Sequence, residues 1–197
     1  MKLANGTVLV ALVAAFAFAR PQQVDTNAQR RSIRSELENQ LTEVERELVP
    51  AVEAMPEEKF AFVPSTGEYK GVRNFSEQAK HVAVSNFFYF AGFSPEKPPA
   101  SIRQRLVREV FLSSNENGPA EMSSKGEISK LLRDSFAYAQ SAVATITDAN
   151  ALETVGGDFG RGTRLNLTVG AIAHCMDHYG QIVEYLRLNG IIPPASR

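Results

Sequence analysis

Cysteine is almost missing from this chain: one residue, Cys175, in 197. A lone cysteine excludes an intrachain disulfide, so the fold must be held by packing even if the chain works in an oxidising compartment. Histidine is nearly as scarce, with three in the whole sequence. Excess positive charge is missing too. The 21 Lys and Arg stand against 22 Asp and Glu, a formal net charge of −1 without a basic stripe, which argues against a nucleic-acid partner. No apolar run reaches the roughly 20 residues needed to span a bilayer. Internal repeats, low-complexity tracts and convincing strand patterns are likewise missing.

What is there, 44% apolar and 22% charged residues, suits one globular domain with a real core. The opening MKLANGTVLVALVAAFAFARPQ has a single Lys2, an apolar run from Val8 to Phe18, and Ala17 and Ala19 at an A-x-A type cleavage site. It predicts a signal peptide over residues 1–19 and a mature domain over 20–197, exported to the periplasm or the exterior, with no stable membrane span after signal removal. The alternative is an uncleaved N-terminal anchor, which leaves the domain on the same side of the membrane.

Ile33, Leu37, Leu41, Val44, Leu48, Val52 and Met55 recur at steps of three and four, the stripe of a first helix in which Pro50 predicts a kink rather than a stop. VPSTGEYKGVR reads as a loop, and Asn74 with Glu77 reads as a capping box opening a second helix from Phe75 to Phe90. SPEKPP, a modest helix near Ile102 to Leu112 and the loop SSNENGPAEMSS then make a long connection. A third helix is expected over Lys125 to Thr147, with Ile128, Leu131, Leu132, Phe136, Ala139, Val143 and Ile146 inward. Past a glycine-rich loop, Thr163 is the expected N-cap of a fourth helix running to Asn189, where Gly190 and two prolines stop it. The expected fold is all-α: a four-helix bundle whose long crossover, carrying a short extra helix, lets the third helix lie parallel to the second.

The inward stripe of the fourth helix is Leu167, Ala171, His174, His178, Ile182 and Tyr185, so two imidazoles sit where a bundle ordinarily places leucine. Residues four apart differ by about 40° around a helix with Cβ atoms about 6 Å apart, close enough to share one metal ion. His81, on the second helix, lies on the same side as Val84 and Phe88. A single inward histidine is as a rule a hydrogen-bonded core residue. Three in one core each cost about 1–3 kcal/mol if left unpaired, and one cation satisfies them together.

His81, then 92 residues, then HCMDH followed by GQIVEYLRLNGIIPPASR, resembles the DinB-like (DinB/YfiT) superfamily of metal-binding four-helix bundles. The resemblance extends over LVPAVEAMPEEKFAFVPSTGEYKGVRNFSEQAKHV and KGEISKLLRDSFAYAQSAV. It implies three metal-coordinating histidines, one on the second helix and two on the fourth separated by three residues, which fall here on His81, His174 and His178. Three neutral nitrogens leave coordination positions open, and they suit divalent Zn, Ni or Fe, Zn foremost. The resemblance also implies thiol-dependent S-transferases and isomerases, or metal-dependent hydrolases, acting on a small molecule. Export argues against the thiol version. A non-catalytic exported metal-binding or stress-related module is the alternative, and a homodimer is a further expectation.

No catalytic side chain is assigned from the sequence, and no cofactor-binding residue beyond the three ligands. Gln181, Glu77 and Ser85 are the expected neighbours of the site; Asp177 and Cys175 point about 100° away from the ligand face. Peptidase chemistry is disfavoured because Cys175, not Glu, follows the first histidine of the pair. Phe87, Phe88 and Tyr185 are the side chains expected to cap the ion if it is inert. The sequons at Asn74 and Asn166 read as coincidence.

Overall fold

Four helix starts are written into the chain by side chains that satisfy the N–H groups a first turn leaves without partners. The Ser32 hydroxyl accepts from the Ser35 N–H and is answered by the Ser35 side chain, opening α1, Ile33–Ala54. Asn74 and Glu77 do the same for α2, Phe75–Phe90, and Ser124 and Glu127 for α4, Lys125–Val143. Thr163 caps α5, Arg164–Leu188, by accepting from the Asn166 N–H. The computed structural model describes residues 31–65, 67, 71–106, 116–156 and 161–197; the expected signal peptide lies outside them.

The helices end for equally local reasons. Beyond Leu188, the Ile191 N–H returns to the Leu186 carbonyl and the Gly190 N–H to that of Arg187, with Gly190 at φ 73°. This is the left-handed helix stop that glycine makes at little cost. Helix α1 runs through Pro50. Helix α4 ends at Val143, four residues before the expected Thr147: short turns from Thr145 to Ala142 and from Ile146 to Val143 replace the helical ladder, and Ile146 is buried all the same.

The expected extra helix is present as α3, Ala100–Arg103, continued by a tighter turn over Gln104–Leu106. The rest of its expected span, 107–112, lies outside the described residues. One feature departs from the all-helical expectation: β1, Thr154–Val155, pairs antiparallel with β2, Gly162–Thr163. Two residues per strand are too few to show alternation in a sequence. Their pairing delivers Thr163 to the start of α5.

Packing follows from which residues meet. Helices α2 and α1 each pack against both α4 and α5. Lys80 reaches Met122 just ahead of α4, Asn86 bonds Ser135, and Phe87 packs on Tyr138, so α2 and α4 run parallel, as the long crossover requires. Gln78 meets Gln181 while Tyr89 lies over Gly170, so α5 runs antiparallel to α2. Between them sit fully buried Leu41, Leu48, Phe75, Phe87, Phe90, Leu132, Phe136 and Ile182, each contributing about 1.5–3 kcal/mol by leaving water. No described helix is long and apolar enough to cross a membrane.

Candidate metal centre

Antiparallel α2 and α5 bring His81 against the pair His174 and His178. The Nε2 of His174 lies 3.1 Å from Nε2 of His81 and 3.2 Å from Nε2 of His178. All three rings offer a nitrogen within 4.8 Å of one another, and they could hold one metal ion. Two nitrogens bound to one ion at about 2.0–2.1 Å, at angles of about 90–110°, stand about 2.8–3.4 Å apart, so the two short separations fit a shared cation.

The outer nitrogens say which inner ones are bare. His81 Nδ1 donates to the Glu116 carbonyl at 2.7 Å and His178 Nδ1 to Gln78 Oε1 at 2.7 Å. Both bonds put the ring hydrogen on Nδ1 and leave a lone pair on Nε2. The two lone pairs face the His174 Nε2, where a cation, or in its place the His174 ring hydrogen, lies between nitrogens. His174 differs from its neighbours: its Nδ1 is buried without a hydrogen-bond partner among the described residues. The Ser85 hydroxyl lies 3.5 Å from His81 Nε2, at the limit of a hydrogen bond.

Burial holds all three imidazoles neutral. It pushes the His81 pKa down to about 3 and those of His174 and His178 to about 4, with the Arg73 guanidinium lowering each further and Asp177 opposing it at His174 and His178. Near neutral pH no proton competes for the nitrogens.

The His81 acceptor is supplied by a clamped loop. Lys80 Nζ donates to the Pro119 and Met122 carbonyls at 2.9 and 3.1 Å, while the Glu116 carboxylate receives Arg105 and the Gly118 N–H. Arg73 Nε shares the Glu116 carbonyl with His81 at 3.2 Å. Gly118 has φ 74°, and a Cβ there would collide with that of Lys80, so glycine is required for this close approach.

A family model for the DinB superfamily matches residues 40–182, a span that includes all three histidines. The chain belongs to the DinB superfamily. The crystal structure of a DinB-like protein from Bacillus cereus ATCC 10987 is similar to it with a TM-score of 0.61 and 13% identity, covering 83% of this chain and 96% of that one, a likeness of fold. No curated protein matches the chain. A DinB bundle with a buried histidine cluster fits a metal-binding protein, and that much of the expected function stands.

The expected neighbours fare unevenly in this DinB chain. Glu77 caps α2 and receives Asn117. Gln181 reaches the site only through Gln78, and Asp177, exposed as expected, bonds Gln181 at 3.0 Å. Cys175 turns away to donate to Asn86 Oδ1, and burial pushes its thiol up to about 12, far from a thiolate ligand or nucleophile. Of the expected caps, Phe87 packs on Tyr138, while Tyr185 donates to the Arg73 carbonyl. Tyr89, unforeseen, lies with its ring 5.9 Å from that of His174. Gln78, Glu116 and Arg73 were also missed. Gln78 had a signal, a polar residue three before His81 on the same face of an apolar helix. Glu116 acts through its backbone carbonyl, which no side-chain pattern announces.

Proposed function

We propose that His81, His174 and His178 hold one divalent transition-metal ion, Zn²⁺ foremost and Ni²⁺ or Fe²⁺ as alternatives, and that the site serves a metal-dependent hydrolase or transferase acting on a small molecule. The observation that supports this best is the meeting of three neutral rings with two of their Nε2 lone pairs left bare by bonds on the far side. Such an ion, held by three nitrogens with positions to spare, supplies Lewis acidity to a substrate oxygen or to a water or thiol brought beside it.

The chain's own part is to keep the ligands unprotonated by burial and to aim them. The Glu116 carbonyl and Gln78 hold two rings in place, so little ordering is left for the moment of binding. The apolar ring of Tyr89 shapes the space beside His174. The setting we propose is outside the cytoplasm, on the strength of residues 1–19, and there small thiols are poor candidates for a cosubstrate. Hydrolysis is therefore the first reaction to look for. The second reading, a metal-carrying module without turnover, draws support from Tyr89, whose ring lies 5.9 Å from that of His174.

Metal content of purified, metal-loaded protein tests the site. His174→Ala and His178→Ala are each expected to abolish stoichiometric binding, and equal metal in the wild type and the double variant would contradict the assignment. A panel of hydrolase and thiol-transferase substrates then separates the two readings: turnover lost on chelation supports an enzyme, and a stoichiometric ion with no turnover on any substrate supports the carrier.

A further inference from the structure

His178 can serve a metal through Nε2 only while its hydrogen stays on Nδ1, and a chain of side chains reaching the surface governs where that hydrogen sits. His178 Nδ1 is 2.7 Å from Gln78 Oε1, Gln78 Nε2 is 2.7 Å from Gln181 Oε1, and Gln181 Nε2 is 3.0 Å from Asp177 Oδ2. Two of these links are amides, which can turn either way round. The last is a carboxylate, which has only acceptors to offer.

The direction of the whole chain follows from that end. Gln181 must present its NH₂ to Asp177 and therefore its oxygen to Gln78. Gln78, 2% exposed and unable to fall back on water, must then present its NH₂ to Gln181 and its oxygen to His178. His178 is left to donate from Nδ1 and to keep a lone pair on Nε2.

We infer that Asp177 is a positioning residue that, through Gln181 and Gln78, fixes His178 in the tautomer whose Nε2 is open to the ion. This rests on the three-histidine metal reading. It also explains why His81 and His178 are supported differently. His81 needs no such chain, because its acceptor is a backbone carbonyl, which cannot turn round. Among the described residues His178 Nδ1 meets an amide, and an amide needs an anchor to tell it which end to offer.

The consequence is a charge that can be moved. In Gln78→Glu alone, two carboxylates compete for the NH₂ of Gln181, and one link faces oxygen against oxygen. In the double variant Gln78→Glu with Asp177→Asn, the carboxylate sits next to His178, Gln181 turns round, and the amide introduced at position 177 supplies the NH₂ at the far end. Every link is satisfied again.

The test uses the purified full chain in two measurements. One is long-range ¹H–¹⁵N correlation of the imidazole nitrogens in metal-free protein, which reports the tautomer; the other is Zn²⁺ affinity by chelator competition. Wild type is expected to show His178 with hydrogen on Nδ1. Gln78→Leu is expected to mix the tautomers and weaken Zn²⁺ binding by about 10–100-fold. Asp177→Asn, at an exposed position that leaves folding intact, is expected to weaken it by a smaller factor, and the double variant to return close to wild type. An unchanged tautomer and affinity in Asp177→Asn would overturn the proposal, as would a double variant no better than the worse single one. If wild type takes up no Zn²⁺, the metal reading falls by itself, and the tautomer measurement still decides on the chain from Asp177.

Discussion

Helices α1 and α2 both pack against α4 and α5 in one bundle, yet they spend their surfaces in opposite ways. In α1, seven of 22 residues are buried, all of them apolar, five of them at steps of three and four. In α2, 13 of 16 are buried, and among them are Gln78, Lys80, His81, Ser85 and Asn86. The first is what an amphipathic helix needs to be held in place. The second puts five polar side chains where hydrophobic burial gains nothing from them, and each must find partners. Lys80 spends its charge on two loop carbonyls, Asn86 bonds Ser135 and Cys175, and His81 and Gln78 are committed to the histidine cluster. The difference teaches where to look for function: a helix that violates its own apolar pattern and gives Gln78, Lys80, His81 and Asn86 specific partners is built for something other than stability.

Damage to the two regions should therefore read out differently. The largest effect on folding is expected from the apolar side: Leu48→Ala, in the α1 stripe, should cost about 2–5 kcal/mol in chemical denaturation while Zn²⁺ bound per folded molecule is unchanged. The polar side is expected to answer to pH instead. In metal-free protein the three histidines have folded pKa values of about 3, 4 and 4 against an ordinary 6.5, so the unfolded chain binds more protons between those limits. Their contribution to stability is thus complete above pH 6.5 and is lost as pH falls toward about 4. Denaturation midpoints measured over that range should decline on acidification, and His174→Leu should flatten the decline. A smaller effect is expected at the loop that serves His81. Gly118→Ala should destabilise the chain by about 1–3 kcal/mol, because the residue is held at positive φ against Lys80, and it should also lower Zn²⁺ affinity in chelator competition. Equal loss of stability and metal from all of these changes would erase the distinction between the two regions.

How much could be read from the chain follows the same division. The α1 and α4 stripes, and the capping residues Asn74 and Thr163, are local signals with fixed spacing, and α2 and α5 begin where those caps place them. The meeting of His81 with His174 and His178 was legible because helical spacing and the family resemblance pointed the same way. What escaped reading was set by tertiary contact. Gln78 could be seen as a polar intruder but not assigned to His178 across 100 residues of sequence. Asp177 was correctly placed on the exposed side, yet its tie to Gln181 needed the side-chain geometry. The Glu116 carbonyl, offered by a loop that Lys80 and Gly118 hold in place, leaves no trace in residue pattern at all. The end of α4 was misplaced because Ile146 continues the apolar period after the helical ladder has stopped.

The central claim is that three imidazoles from α2 and α5, and no sulfur, share one ion. X-ray absorption at the zinc edge of the loaded protein tests it most directly. The account expects three imidazole nitrogens at about 2.0–2.1 Å, the remaining scatterers being light atoms. A sulfur at about 2.3 Å, which would bring Cys175 to the metal, or a spectrum with fewer than three imidazoles, would contradict it.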